Sequence, residues 1–562
     1  MYIGLLDNQD YLAELLRAWG LRLFRHCDLS ELDPAEMPAL VVPAGTAAEP
    51  VLDYARAGGT AVCFTPEGAL AEAAGLQPRG EKALPAFLRM TAYMPAGLAG
   101  ELLPIVGRAI DYARSDEAAV LGYLSYPDNP DGDSAGITST QVGKGRIITF
   151  AFDLPRCVRL LRQGDPALAE QIPPGDTCVR QSHLACRLPA HDAGWVPFAD
   201  LLALLLADLL RGALPAPVPL VSHLPGNAPA ILLYSGDEDG ATPEENLDEL
   251  EWLTAQSARM DLYMVPDTSA TPPEVLPRYL AHHDVGPHPN LRPLDGHPLA
   301  ERLADFDRQL QLFIDKYGVR PKCLRNHGVA WAGYTEIVEV MERHGIRMDV
   351  NYTSGQYRRG RQFAPYAGFG AAMPVRFCRA DGRLHEVFQL HTQIMDDVWF
   401  APDADVYKRS TYSYRFSAEA FDAIIARIFD DLVNRLHTPL TVCIHPSNWV
   451  RFSREQGQAL VRHAKQRNVP VWSVTQWCAF WDARDGWMIN DLSWSDNALT
   501  FTLFSGMPHE ALRVAVPVEY NGRRLTGITI DGSPVEYAAI QRYREVVALV
   551  PVQAGIFTVV YT

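Results

Sequence analysis

Hydrophobic and polar positions fall into three successive rhythms along the chain. Up to about residue 212, short apolar runs alternate with stretches of helical spacing. Residues 2–6, 39–45, 60–64 and 143–150 read as strands, and 11–19 and 51–57 read as helices. Such alternation predicts a doubly wound α/β domain. From about 230 to 485 the alternation resumes with longer helices at 299–317, 336–344 and 418–436. Gly318 and Gly345 close the first two, and Ser417 caps the third. Strands are predicted at 230–234, 260–265, 346–350, 439–444 and 470–474. An open or distorted parallel (β/α) barrel fits, with its chemistry at the strand ends. After residue 488 the helical period disappears. Short runs at 498–504, 512–518, 527–530, 546–550 and 557–561 predict a small antiparallel β domain, a sandwich. Residues 212–229, with five prolines, read as a linker. The expected fold is therefore an α/β multidomain protein with units 1–212, 228–485 and 488–562.

Composition narrows the function classes. At 562 residues the chain exceeds one ordinary core. Its formal net charge of -17 argues against nucleic acid and anionic membrane surfaces as partners. The nine cysteines are scattered and show no CxxC pair, which argues against a zinc ribbon or a disulfide framework. Reduced thiols in a reducing compartment are the simple reading. No uninterrupted apolar run reaches the roughly 18 residues a membrane span needs. The first residues lack a basic stretch followed by an apolar one, so a cytoplasmic place is expected.

The candidate chemistry begins at Asp237-Glu238-Asp239-Gly240, where the apolar run 230–234 ends. Two carboxylates one residue apart would face the same way if the strand continued. Their repulsion is tolerated beside a cation. The alternative is plain turn chemistry. His288 follows in a Pro-rich loop and His297 nine residues later; imidazole and carboxylate suit zinc and other divalent ions. Arg325 and His327, in Leu324-Arg325-Asn326-His327, follow a predicted strand end. An arginine there can hold a catalytic carboxylate ionised; the alternative is an ordinary ion pair. The strand 441–444 ends in His445-Pro446, which places a histidine suited to general acid work at the mouth. Gln393, Asp396 and Asp397 are candidates to orient it or shape the pocket. Trp331, Tyr334 and Trp399 are candidate sugar platforms, with core aromatics as the alternative. Cys63, in Ala61-Val62-Cys63-Phe64-Thr65, lacks the flanking glycines of a nucleophile elbow and reads as a buried structural thiol.

The order of carboxylate pair, histidine motif, Arg-x-His and strand-His-Pro resembles the polysaccharide deacetylase (NodB-homology, carbohydrate esterase 4-like) superfamily over residues 228–485. The resemblance implies Asp237 as base, Asp239 as metal ligand and His445 as catalytic acid, with Arg325 steadying the base. Its usual His-x-x-x-His motif is broken here, because Arg292 stands four residues after His288. The later His297 is then expected as the third ligand, with Asp239 and His288, of one divalent metal, zinc before others. His327, Trp331 and Trp399 are expected against the substrate. The implied activity is metal-dependent hydrolysis of N-acetyl or O-acetyl groups on a carbohydrate or polysaccharide. A superfamily hydrolase of non-sugar C–N bonds, or an inactive carbohydrate-binding or scaffolding protein, are the alternatives. The N-terminal cadence resembles glutamine-amidotransferase-like domains, and without an elbow this region is expected to be non-catalytic.

Overall fold

Residues Ile231–Asp237 form a strand buried along its whole length. The structure, a computed structural model, describes every residue except 8, 83, 92–97, 99, 127–128, 189–193, 356–363, 406–407, 410–412 and 544. Ile231–Asp237 is flanked by parallel partners, Asp261–Met264 on one side and Pro439–Cys443 on the other. Asp284–Pro287 extends the sheet beyond Asp261–Met264, and Ile394–Met395 extends it beyond Pro439–Cys443. Every one of these pairs is parallel, so all five strands end on the same side. That is the physical reason why segments far apart in sequence meet at one mouth.

A second sheet runs Cys323–Leu324, Met348–Asp349, Leu384–Gln389, Val375–Cys378; its last pair is antiparallel. The two sheets approach at Gly286, where a Cβ would lie 2.6 Å from the Cys323 carbonyl oxygen. Only a residue without a side chain permits that approach. Among the described residues these central strands form two open sheets and no closed barrel. Cys323–Leu324 and Met348–Asp349 are two residues long, and an antiparallel strand ends their sheet. A ring of continuous parallel ladders cannot be built from those parts.

The first region carries a nine-stranded sheet. Five strands, from Phe24–Cys27 to Gly145–Phe150, are parallel; four of them lie where the sequence was read as strand, and Phe24–Cys27 was not anticipated. The other four, Asn129–Val142, Ala119–Tyr126, Ala86–Met90 and Leu103–Ile105, are antiparallel and were not anticipated. The C-terminal strands form two antiparallel sheets. One of them takes in Leu220–Val221, which pairs with Arg513–Pro517. The segment 212–229 is therefore more than a linker: its apolar pair between prolines completes a sheet. Buried Arg484 fastens the same place by donating to the carbonyls of Ala18, Val221 and Ser222. One apolar core runs from Ile3 to Tyr561, and a second gathers Val179 and Leu184 of the first region with Phe306, Leu310, Trp331 and Ile337. No helix among the described residues is long and apolar enough to cross a membrane.

Candidate active site

The strand Ile231–Asp237 ends on its carboxylate, and the chain then turns sharply. Asp239 has φ 50 and Gly240 φ 115. Aspartate is one of the few residues with a side chain that enters the left-handed region readily. The turn, not a continued strand, therefore brings Asp237 and Asp239 to one place. Glu238 between them points away and is buried, accepting from Asn246 Nδ2 at 3.1 Å and Thr271 Oγ1 at 2.6 Å. Asp237 is buried against Arg325, whose Nη1 donates to its Oδ1 at 2.9 Å. The remaining donors of Arg325 reach Ser235 Oγ, Thr392 Oγ1 and the Val350 carbonyl. Burial alone would raise the Asp237 pKa. Arg325, followed by His288 and His445, outweighs it and holds the carboxyl below its usual range.

Two histidines converge on the other carboxylate. His288 Nε2 lies 3.0 Å from Asp239 Oδ1, and His327 Nδ1 lies 2.9 Å from the same oxygen. Asp239, His288 and His327 each offer one ligand atom, all within 4.8 Å of one another. A carboxylate oxygen with two imidazole nitrogens fits a divalent transition ion such as zinc. His288 Nδ1 donates to the Arg325 carbonyl at 2.7 Å, which leaves Nε2 to face Asp239. Fixing one ring nitrogen in this way is the usual support for a ligating histidine. Asp239 is 29% exposed and His327 25%, so the group opens to solvent. A second group, Asp237, Cys443 and His445, is as compact. Burial pushes the Cys443 thiol well above its usual range and so disfavours the thiolate form.

His445 follows the strand Pro439–Cys443 and faces both carboxylates, its Nε2 3.5 Å from Asp239 Oδ2 and 3.9 Å from Asp237 Oδ2. Its Nδ1 donates to Asp396 Oδ1 at 2.5 Å. The other Asp396 oxygen accepts from the His445 backbone N–H and from Ser453 Oγ, both at 3.0 Å. Burial opposes a charged His445, but Asp396, and behind it Asp239 and Asp397, more than offset it. The imidazole pKa stands well above the usual histidine range. Asp396 is thus the partner of His445, where the sequence left it among three candidates. Gln393 is spent on structure, donating to the Ala371 and His391 carbonyls and accepting from the Thr441 N–H. Asp397 lines the cleft beside His445.

Other expected site residues lie elsewhere. His297 is 48% exposed and pairs with Glu301 on the first turn of the following helix, 2.9 Å away. It is not brought to Asp239 and His288; His327 is. Trp331 and Trp399 are fully buried and cannot serve as sugar platforms. The Trp331 indole packs among Tyr352 and Phe377 and donates to the Tyr334 carbonyl. Trp399 sits among Phe400, Tyr414, Phe416 and Phe421. Both rings follow the general preference for burying large aromatic area. Tyr334 is buried as well. Cys63 is buried in the strand Thr60–Phe64, and burial pushes its thiol up, away from nucleophile chemistry.

The cleft above these residues has a volume of about 460 Å³. Asp237, Asp239, His327, Asp397 and His445 line it, together with Arg180, Arg292, Arg409 and Arg451. No arginine of the cleft was singled out as a cleft residue from the sequence. Arg180 comes from the first region: Trp331 N–H donates to the Val179 carbonyl and Arg180 Nη1 to the Gly328 carbonyl, which docks that segment beside His327.

No protein-family model matches the chain, and no curated protein matches it. Among solved structures it is similar to Agd3, described as a novel carbohydrate deacetylase. The identity is 11%, the match covers 100% of this chain and 99% of that one, and the TM-score is 0.43. A protein from Mycobacterium smegmatis, provisionally described as a polysaccharide deacetylase, matches at 15% identity over 47% of this chain and 93% of its own, with a TM-score of 0.32. The β-galactosidase from Rahnella sp. R3 matches at 14% identity and a TM-score of 0.22, and the chain spans only 28% of its length. At such identities and TM-scores these likenesses say nothing of what the site does.

Proposed function

We propose that the chain is a metal-dependent hydrolase that removes acetyl groups from a carbohydrate, with its chemistry in the region 228–485. One observation carries the reading. A buried carboxylate paired with arginine, a carboxylate with two histidines, and a histidine bonded to a third carboxylate share one cleft floor. An inactive binding protein would have no need of that set. When bound by Asp239, His288 and His327, a divalent metal supplies Lewis-acid polarisation of the acyl carbonyl and a lowered pKa for water.

The chain's own residues do the proton work. Asp237 takes a proton from the attacking water, and Arg325 keeps it ionised and fixed in place. As the water oxygen bonds to the acyl carbon, the bond from that carbon to nitrogen or oxygen breaks. His445 Nε2 gives its proton to the departing amine or alkoxide. Asp396 holds the ring with Nε2 toward the cleft and favours the charged form that a proton donor needs. The products are acetate and the free amine or alcohol. The region 1–212 takes no proton step in this scheme; it contributes Arg180 to the cleft wall.

The test is acetate release from N-acetylated and O-acetylated oligosaccharides by zinc-loaded protein. Release from one class is expected, reduced by about 10²-fold or more in Asp237→Asn, the scale of general-base loss. Metal content should be unchanged in that variant. Release from non-sugar amides alone would move the substrate outside carbohydrates. No release from any acyl substrate would overturn the proposal.

A further inference from the structure

The two histidines that face Asp239 are aimed in different ways. His288 is held from behind, its Nδ1 tied to the Arg325 carbonyl at 2.7 Å. The His327 ring touches its two neighbours in the site, Asp239 through Nδ1 at 2.9 Å and His288 edge-on, with ring centroids 5.4 Å apart. Among the described residues no hydrogen bond reaches its Nε2. The direction of His327 therefore rests on the stretch of backbone that carries it.

That stretch is strained. Gly328 has φ 59 and Val329 φ 48. Glycine enters the left-handed region freely, whereas a β-branched residue there is an outlier that persists only where its surroundings hold it. Ahead of the turn the central region does the holding. The His327 N–H donates to the Pro289 carbonyl at 2.9 Å and the Asn326 N–H to Asn351 Oδ1 at 2.7 Å. From the turn onward the holding comes from the first region. Arg180, 148 residues before Gly328, donates from Nη1 to the Gly328 carbonyl. The Trp331 N–H donates to the Val179 carbonyl at 2.9 Å, and Arg180 and Ala330 are bridged as antiparallel neighbours. Glu170 accepts from the Gly333 N–H at 2.7 Å and pairs with Arg302, which donates to the Trp331 carbonyl at 3.2 Å. Val179 and Leu184 pack with Trp331 and Ile337 in one apolar cluster.

Arg180 is itself fixed. Its Nε lies 3.5 Å from Asp176 Oδ1, and the other Asp176 oxygen accepts from His183 Nε2 at 2.9 Å. His183 Nδ1 in turn accepts the Arg180 N–H at 3.2 Å. Asp295 lies close to Arg180 as well, so the guanidinium is compensated. What it gives the turn is a donor in a fixed place, not an excess charge.

Resting on the metal-dependent reading, we propose that Arg180 is a positioning residue for the metal ligand His327. It holds the Gly328 carbonyl, and with it the left-handed turn, so that the imidazole points at Asp239 and His288. The first region thereby completes the metal site without supplying a ligand. Zinc affinity depends on a segment outside the region that carries the chemistry.

The experiment measures the zinc dissociation constant of the full chain by competition with a zinc-binding dye. The proteins are wild type, Arg180→Met, Arg180→Lys, His327→Ala and the Arg180→Met, His327→Ala double variant. Arg180→Met should weaken zinc binding about 10–100-fold, the scale on which residues behind a ligand act. Lysine can still donate to one carbonyl, so Arg180→Lys should recover most of that loss. In the His327→Ala background, Arg180→Met should cost less than about twofold, because a residue that acts through another adds nothing once the other is gone. Melting temperatures of the metal-free proteins show that each variant folds. Should Arg180→Met fail to fold, Asp176→Asn, which loosens the guanidinium and leaves it present, carries the same cycle with a loss of about threefold or more. Unchanged zinc affinity in the folded variant, or an equal loss with and without His327, would overturn the proposal and leave the metal-dependent reading standing. A wild type that binds no zinc would sink both.

Discussion

At the scale of single residues, the site works by setting charge states that water alone would not give. Arg325 keeps buried Asp237 ionised against the effect of burial, and Asp396 keeps buried His445 protonated against the same effect. The pH profile should therefore carry both signatures. A general acid acts only while protonated, so activity falls as pH rises through the His445 pKa. In Asp396→Asn the carboxylate that raises that pKa is gone, so the alkaline limb of kcat/KM should move to lower pH. The acid limb, set by Asp237, should stay where it is. A pH–rate profile of both proteins checks this, and an unmoved alkaline limb would take the acid role from His445. These residues were legible because each closes or directly follows an apolar strand. His297 was expected as the ligand because it follows the Pro-rich loop of His288, whereas His327, just past a predicted strand end, was expected against the substrate. What decides between them is the Gly328 turn that swings His327 inward and the Glu301 carboxylate that holds His297 at the surface.

At the scale of elements, the active mouth depends on close approach between strands. Gly236, one residue before the base, has no room for a side chain: a Cβ there would lie 2.3 Å from the Ile444 carbonyl oxygen. Gly236→Ala should push the strand Ile231–Asp237 away from the segment that carries His445. The expected stability loss is about 1–3 kcal/mol, the usual scale of overpacking. Turnover should fall further than the loss of folded protein explains, because the acid and base separate. Thermal melting together with kcat on the folded fraction reads both; unchanged turnover would show that the strand spacing does not set the catalytic geometry. Long helices such as Leu299–Tyr317, ended by Gly318 at φ 67, were plain in the sequence. The strand predicted at 346–350 forms only at Met348–Asp349, and the strand end expected before Arg325 is the two-residue Cys323–Leu324; so short a run carries too little period to fix its bounds. Their brevity goes with two open sheets in place of a closed ring.

At the scale of the whole molecule, the three rhythms of the sequence do not correspond to three separate cores. Glu14 bonds to Arg376, Arg484 to carbonyls at 18, 221 and 222, and Arg180 reaches the cleft. Sequence periodicity reports which face of an element is apolar, not which neighbour covers it, so these joints were out of its reach. A fragment of residues 228–485 should consequently melt well below the full chain or aggregate, by loss of apolar cover. A fragment as stable and as active as the whole would contradict the shared core. The central claim, one divalent metal held by Asp239, His288 and His327, is tested most directly by elemental analysis of wild type, His297→Ala and His327→Ala. Each protein is purified without chelator, loaded with zinc and freed of excess metal. About one zinc per chain is predicted for wild type and His297→Ala, with most of it lost in His327→Ala. Zinc retained in His327→Ala and lost in His297→Ala, or none bound by wild type, would contradict the account.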